Sequence, residues 1–238
     1  MAFWSSETWK QELSKYQIVF PYYEKNIKHG AYELTMGSEA FITSDPMQNK
    51  RELELKEHIT IPPGQFGLLI TQETVTIPDH IIGFISMKTS FKSRGLINIS
   101  GFHVDPGFKG RLKFWVYNAG SQEIVLAQGE PAFSLWFSNL DQRTADLYNG
   151  GHKDQASITP DDEMRMQGKV VSPVVLDQRL TSLEHTVTII KTVAISVIVG
   201  GALLFARSIF DNQPTPTKAP SQGINSGKPA SDREEKIP

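Results

Sequence analysis

The stretch Gly83–Phe137, which reads GFISMKTSFKSRGLINISGFHVDPGFKGRLKFWVYNAGSQEIVLAQGEPAFSLWF, decides the fold of this chain. Short apolar runs in it are separated at close intervals by glycine, proline, asparagine and aspartate. That pattern is typical of several short β-strands joined by tight turns. The run Arg111–Tyr117 shows it most clearly, because alternate residues of a strand lie on opposite faces. One face would be apolar, with Leu112, Phe114 and Val116, and the other would carry Lys113, Trp115 and Tyr117.

Similar runs flank this stretch, and about ten short strands at roughly even spacing predict an all-β barrel or sandwich. The β domain is expected to cover residues 31–140. Within it, the alternation of apolar and polar residues in Ala31–Gly37 predicts a strand that ends at a glycine turn. Residues 1–30 are predicted as an N-terminal helical segment without a secretory signal, with a short helix at Thr8–Tyr16. Residues 141–172 are polar without a clear period and are predicted as a tail or lid.

From Pro173 the chain changes character. Five apolar residues spaced four, three, four and three form a heptad seam over residues 173–191, and a plain amphipathic helix is the alternative. The five are Leu176, Leu180, Leu183, Val187 and Ile190.

Residues 192–207, extended by residues 186–191, form an apolar stretch of about 20 residues, the length that a helix needs to cross a bilayer core. Its two charges, Lys191 and Arg207, lie towards opposite ends, where long side chains reach the lipid headgroups. A buried core helix is the alternative. We expect a single-pass membrane protein with the β domain on the cytoplasmic side, and a disordered tail at residues 208–238.

Composition excludes several classes of function. The 238 residues include 24 basic and 26 acidic side chains, so the net charge of -2 gives no electrostatic reason to expect a nucleic-acid partner. The chain has no cysteine, which excludes disulfides, thiol catalysis and cysteine zinc sites. No metal-ligand set is predicted.

Two polar patches interrupt the predicted strands and are the candidate binding regions. One runs from Lys88 to Arg94, and the other is the turn Asp105–Gly107 with Gly110 after it. Hydroxyls, bases and glycines grouped in this way suit a phosphate-bearing ligand, although ordinary turns have the same composition.

Several motifs in residues 31–139 resemble, in the right order, the dCTP deaminase and dUTPase superfamily. Lys88–Leu96 resembles the phosphate-contacting segment of the deaminases, and Val104–Gly110 resembles their Ile-Asp-Pro-Gly-aromatic-x-Gly motif. Tyr32–Gly37 and Ile61–Phe66 resemble earlier segments of the family. The resemblance implies a mainly β, dUTPase-like distorted barrel that forms a homotrimer with nucleotide sites between subunits.

The resemblance also implies roles for single positions, and the main departure is at Trp115. The deaminases carry their general base, a glutamate, on the strand after the Asp-Pro-Gly turn, and Trp115 stands at that position. An indole offers no base, and general-base assistance contributes about 10²–10⁴ in rate. In dUTPases the aspartate of the turn orients the hydrolytic water. Asp105 stands there and is the one catalytic candidate, with Phe108 in place of the sugar-packing tyrosine.

Seven residues are therefore candidates for nucleotide binding: Lys88, Thr89, Ser90, Arg94, Asp105, Phe108 and Trp115. Six of them have a plainer alternative, namely a polar turn for the first four, hydrogen bonding within the turn for Asp105, and a blocked pyrimidine pocket for Trp115. Lys88 keeps the charge of the family's arginine but not its bidentate fork. We expect His103 to be structural because the sequence identifies no partner acid. Arg111 and Lys113 could contact a ligand, but a solvent-exposed strand face explains these two basic residues equally well.

Three functions remain open. The preferred hypothesis is a membrane-anchored, trimeric dCTP deaminase-like protein that lacks deaminase activity and binds a deoxynucleoside triphosphate or a protein partner. The second is an active enzyme, either a dCTP deaminase or a dUTP diphosphatase that uses Asp105. The third is a structural trimeric scaffold. Mg²⁺ is expected only if the chain binds or hydrolyses a nucleoside triphosphate.

Overall fold

Twelve β-strands and four α-helices are present in the computed structural model, which describes residues 2–166 and 173–211. The strands are β1 (Val19–Phe20), β2 (Ile27–Lys28), β3 (Ala31–Ile42), β4 (Arg51–Glu52), β5 (His58–Ile61), β6 (Phe66–Thr76), β7 (Ile81–Met87), β8 (Leu96–Asn98), β9 (His103–Val104), β10 (Lys109–Asn118), β11 (Ile124–Ala127) and β12 (Pro131–Asn139). The helices are α1 (Ser6–Lys15), α2 (Thr89–Lys92), α3 (Pro160–Met166) and α4 (Pro173–Asp211). The mainly β fold predicted from the sequence, followed by a long apolar helix, is confirmed.

Ten of the strands form one antiparallel sheet in the order β8-β10-β6-β3-β12-β7-β9, with β1, β2 and β4 attached at its sides. The two ends of this order, β8 and β9, follow each other in the chain. The loop that connects β8 to β9 is hydrogen-bonded to both ends of the sheet. Near β8, Ile99 N donates to the Trp115 carbonyl of β10 (2.8 Å). Near β9, Ile85 N of β7 donates to the Phe102 carbonyl (2.8 Å). The curled sheet is thus spanned by a loop at its open side.

Strand β10 has the predicted alternation. Leu112, Phe114 and Val116 are buried, whereas the residues between them are half-buried. The Phe114 ring stacks on Phe133 of β12 with ring centroids 4.0 Å apart. The apolar face of β10 therefore forms the inside of the barrel, and its other face is available for a site.

The predicted turn at Gly37 is wrong, because β3 continues through it to Ile42. The glycine marks a close approach of two backbones, which is the other common reason for glycine inside a strand. A Cβ at this position would lie 2.8 Å from the Ile70 carbonyl oxygen and would clash with the Arg111 guanidinium. The register between β3 and β6 also shifts between Met36 and Ala40.

The N-terminal segment completes the core. Helix α1 begins after Ser5, whose side-chain oxygen accepts from Thr8 N at 3.3 Å. Trp9 is fully buried, and its ring stacks on Phe137 of β12 at 4.6 Å. Trp4 packs edge-on against the same Phe137 ring. Three large aromatic side chains thus join the first helix to the sheet.

The chain divides into two compact units, one up to Ser182 and one from Leu183 onward. Helix α4 contains one span that is long and apolar enough to cross a membrane, Leu176–Ile209, and none of its most apolar window is buried in the described part of the chain. Residues 167–172 and 212–238 lie outside the described residues, so the end of the predicted 141–172 segment and most of the predicted 208–238 tail fall there.

Candidate functional site

A cavity of about 340 Å³ opens beside the outer face of β10. Its walls come from Ile85 of β7, the loop at Ser100–Gly101, the turn that begins at Asp105, strand β10, and the segment 148–155. Three of the seven predicted binding residues line it, namely Asp105, Phe108 and Trp115. The structure therefore brings together one half of the predicted site.

The turn Asp105–Gly107 sets the floor of the cavity. Phe108 N donates to the Asp105 carbonyl at 3.1 Å, and Gly107 has a φ of +87°, which favours glycine. A Cβ on Gly107 would lie 2.7 Å from the Cβ of Leu147, and Tyr148 N donates to the Pro106 carbonyl at 2.8 Å. The turn thus holds the segment that forms the opposite wall.

His103 and Asp105 form a pair at the cavity, with His103 Nε2 3.3 Å from Asp105 Oδ1. Both side chains remain more than a third exposed, at 42% and 46%. The sequence reasoning missed this partner acid for His103, although the signal was available: residues two apart on an extended chain lie on one face. The pair can hold and orient a water molecule or a polar ligand atom.

Trp115 is half-buried. It packs against a small buried cluster made of Phe41, Leu68, Ile70 and Ile158, and it also lines the cavity. The register pairs it with Leu68 of β6. A flat apolar side chain therefore forms the wall on this side of the cavity, together with the rings of Phe108 and Tyr148, whose centroids are 5.8 Å apart. Such walls suit the flat face of a heterocyclic base.

Lys113 and Arg111 do not form the solvated strand face that the sequence allowed. Lys113 Nζ lies 2.5 Å from Asp162 Oδ2 of α3, and both side chains are 7% exposed. Burial opposes the charge of Asp162, but hydrogen bonds from Lys113 and from Thr159 hold its pKa below the ordinary value of 3.8. Arg111 Nη1 donates to the Ala156 carbonyl at 3.0 Å. Both side chains thus bind the segment that follows β12, and Lys113 also lines the cavity.

Gln155 contributes an unpaired acceptor to the cavity wall. Its Nε2 donates to the Arg111 carbonyl at 2.7 Å, which fixes the orientation of the amide. The Oε1 atom is buried without a hydrogen-bond partner among the described residues. Because an unsatisfied buried acceptor costs free energy, a hydrogen-bond donor would be favoured at this oxygen if the side chain turned it towards the cavity.

The other predicted residues, Lys88, Thr89, Ser90 and Arg94, lie apart from this cavity. Lys88 forms an ion pair with Glu33 at 2.6 Å, Thr89 and Ser90 begin the short helix α2, and Arg94 Nη2 donates to the Glu123 carbonyl at 3.1 Å. Arg94 lines a separate polar cavity of about 310 Å³ with Ser121 and Gln122. One copy of the chain does not join the two halves of the predicted site.

No group of three or more histidine, aspartate or glutamate side chains that could hold a metal ion is present in residues 2–166 and 173–211. A magnesium ion that accompanied a nucleoside triphosphate would be held mainly by phosphate oxygens, with Asp105 as the nearest carboxylate in the cavity.

The sequence matches known proteins over most of the β domain. Residues 3–140 match the profile of a family described as dCTP deaminase-like. A dCTP deaminase of Pyrococcus horikoshii is 28% identical over 145 residues, which cover 61% of this chain and 88% of the relative. A dUMP-forming dCTP deaminase of Aquifex aeolicus is 27% identical over 150 residues, which cover 60% of this chain and 83% of the relative.

Among solved structures, the fold is similar to that of the 2'-deoxycytidine 5'-triphosphate deaminase of Agrobacterium tumefaciens. The two superpose with a TM-score of 0.48 and 11% sequence identity, over 57% of this chain and 47% of the other. A likeness of this degree carries no correspondence between individual residues.

Proposed function

Because this chain belongs to the dCTP deaminase-like family, we propose that it is a membrane-anchored, trimeric member that binds a deoxynucleoside triphosphate without deaminating it. Trp115 carries the proposal. The motif resemblance puts the catalytic glutamate of the deaminases at this position, and the cavity has an indole there. An indole cannot take a proton from an attacking water at any accessible pH.

The cavity keeps features that suit a base even though it lacks the expected glutamate. Aromatic walls from Phe108, Trp115 and Tyr148 offer stacking surfaces, and a shift of the Gln155 side chain would offer its buried Oε1 to an amino or imide N–H. A pocket of this kind recognises a flat ligand that also donates a hydrogen bond. This combination supports binding over a purely structural role.

The same geometry supports assembly as a trimer. The cavity holds Asp105, Phe108 and Trp115, whereas Lys88, Thr89, Ser90 and Arg94 lie apart from it in the same chain. A nucleotide bound by both groups would need a neighbouring copy to supply the second one. The resemblance implies the same arrangement, with nucleotide sites between subunits.

Anchoring in a membrane is proposed from helix α4. Its span Leu176–Ile209 exceeds the roughly 20 residues that cross a bilayer core. The described part of the chain buries none of the most apolar window, and exposed apolar surface of this extent is unfavourable in water. We place the β domain on the cytoplasmic side because deoxynucleoside triphosphates are cytoplasmic metabolites.

A second function, dUTP diphosphatase, is favoured by the pair of His103 and Asp105. A carboxylate held 3.3 Å from an imidazole can orient a hydrolytic water. Magnesium would neutralise charge on the phosphates in that reaction. Hydrolysis is distinguished from simple binding by the release of pyrophosphate.

The test is calorimetry on the full-length protein in detergent, with dCTP and dUTP in the presence of Mg²⁺, followed by chromatography of the nucleotides. We expect saturable binding and unchanged nucleotide. Release of pyrophosphate that disappears in Asp105→Ala would establish the diphosphatase instead. A folded protein that binds neither nucleotide at millimolar concentration would favour the structural scaffold.

A further inference from the structure

A single apolar seam runs along nearly the whole of α4. The heptad spacing of residues 173–191 continues without a break into the apolar half of the helix, where every position in register is apolar or small. The ten seam residues are Leu176, Leu180, Leu183, Val187, Ile190, Ala194, Val197, Gly201, Leu204 and Ser208.

The seam has no cover in the described chain. Its large side chains are between 46% exposed (Val187) and 71% exposed (Leu204). The 3.5-residue period is distinct in residues 176–190, where most positions off the seam are polar; beyond Lys191, positions off the seam such as Val193 and Ile195 are apolar too, and the seam differs from them by its small residues. A sustained 3.5-residue period is the pattern by which two or more helices pack along one line.

The composition of the seam changes where the helix becomes apolar. Ala194, Gly201 and Ser208 are seven residues apart, and they occupy the positions held by Leu180 and Val187 in the first part of the helix. In water, large apolar side chains drive helices together, whereas in lipid close packing of small residues does so. The change from large to small residues thus follows the change of solvent along α4.

Charges beside the seam set the direction of the partner helix. Arg179 directly precedes the seam residue Leu180, and Glu184 directly follows the seam residue Leu183. In a parallel coiled coil, the residue before a seam position on one helix faces the residue five positions later on the partner helix. Arg179 and Glu184 have this spacing. Neither side chain forms an ion pair within the described part of the chain.

We propose that α4 associates with α4 of other copies of this chain, in parallel and in register, along the seam Leu176–Ser208, with Arg179 of one copy facing Glu184 of the next. The proposal depends on the proposed function in one respect, the parallel direction of the helices. Copies of α4 that are anchored in the same membrane all cross it in the same direction. The association does not depend on what the cavity binds. The apolar half of the helix would then be an assembly surface as well as an anchor.

The absence of cysteine makes a sharp experiment possible, because each single-cysteine variant of the full-length protein reports one position. Leu183→Cys and Val197→Cys lie on the seam, 14 residues or about 21 Å apart along the helix. His185→Cys and Val199→Cys are matched controls at nearly the same depths, at the heptad position farthest from the seam. Membranes of expressing cells are washed with alkaline carbonate and then oxidised with copper phenanthroline.

Both seam variants are expected to run mainly as covalent dimers, and both controls as monomers. An antiparallel pair could join at most one of the two seam positions, so cross-linking at both establishes the parallel register. Equal cross-linking at seam and control positions, or none at any of them, would overturn the proposal. Cross-linking at Leu183→Cys alone would overturn the extension into the apolar half.

The charge pairing has its own control. In the Leu183→Cys background, Arg179→Glu should reduce the cross-linked fraction, and adding Glu184→Arg should restore it. Failure of the exchange to restore it would overturn the ion pair. If the carbonate wash removes the protein from the membranes, the proposed membrane anchor is wrong. The same cysteine variants, oxidised in solution, would then still test whether the helices associate along the seam.

Discussion

Trp115 is the residue on which the proposed loss of deamination depends. The side chain keeps the strand geometry intact, since an aromatic residue fits the half-buried face of β10 and pairs in register with Leu68. It removes the group that would accept a proton and adds a flat apolar surface to the cavity. The fold and the pocket are thus present, and we propose that deamination is lost because of this one side chain.

Replacing Trp115 with alanine should weaken the binding of dCTP by about 1 to 3 kcal/mol, or roughly 5- to 150-fold in Kd, because stacking on a base is lost. Calorimetry on the full-length protein measures this change. Tyr117→Ala is the matched control, since Tyr117 is an aromatic residue of the same strand that packs on Phe66 and does not line the cavity. Equal losses in both variants would contradict the stacking role, and tighter binding in Trp115→Ala would show that the indole blocks the pocket.

The candidate site was only partly predictable from the sequence. The motif around the turn identified Asp105, Phe108 and Trp115, which line one cavity. Local patterns could not show that Gln155 reaches the same cavity, because it lies 44 residues from its hydrogen-bond partner Arg111. Such contacts between residues distant in sequence depend on the tertiary fold, and no short-range sequence pattern predicts them.

The segment from Tyr148 to Met166 is fastened to β10 by buried polar contacts. Lys113 reaches Asp162 of α3, and Arg111 N donates to the Gln155 carbonyl at 2.8 Å. A buried ion pair of this type costs more when one partner is removed than the intact pair contributes, since the remaining charge is left without compensation. The wall of the cavity therefore depends on Asp162, whose side chain lies outside the cavity lining.

Asp162→Asn should destabilise the docking of this segment by about 3 kcal/mol, which is roughly a hundredfold in its opening equilibrium. Hydrogen exchange of the amides in residues 155–166 measures the opening. Because the folded pKa of Asp162 is lowered, its contribution is present above the ordinary value of 3.8 and is lost as the pH falls through the lower folded value. The wild-type protein should thus lose this protection only in acid.

Asp161→Asn is the control for that measurement. Asp161 lies next to Asp162 and pairs with Arg165 at 2.8 Å, but both of these side chains are 65% exposed. An exposed pair contributes no more than about 1 kcal/mol, so little change in exchange is expected. Comparable exchange in the two variants would contradict the role assigned to Asp162.

The architecture of the whole chain was easier to predict than its site. Alternation in β10 and the apolar composition of α4 each depend on neighbours in sequence, and both predictions agree with the structure. The role of the first 30 residues was not visible, because Trp4 and Trp9 are buried by contact with Phe137, far along the chain. The turn expected at Gly37 failed for the same reason, since the neighbour that requires glycine there is β6.

We propose a nucleotide-binding barrel attached to a helix that both anchors and assembles it. In this proposal the barrel supplies the cavity, a neighbouring copy supplies the polar patch from Lys88 to Arg94, and α4 holds the copies in one direction. Each of these proposals has its own experiment, so that the failure of one leaves the others standing.

The most direct test of the central claim is the release of ammonia from dCTP by the purified full-length protein, in the presence of Mg²⁺ and across neutral and mildly alkaline pH. We predict no ammonia above the protein-free control in a sample that binds dCTP by calorimetry, because no carboxylate occupies the position of Trp115. Ammonia release at an ordinary enzymatic rate of about 1 per second or faster would contradict the account.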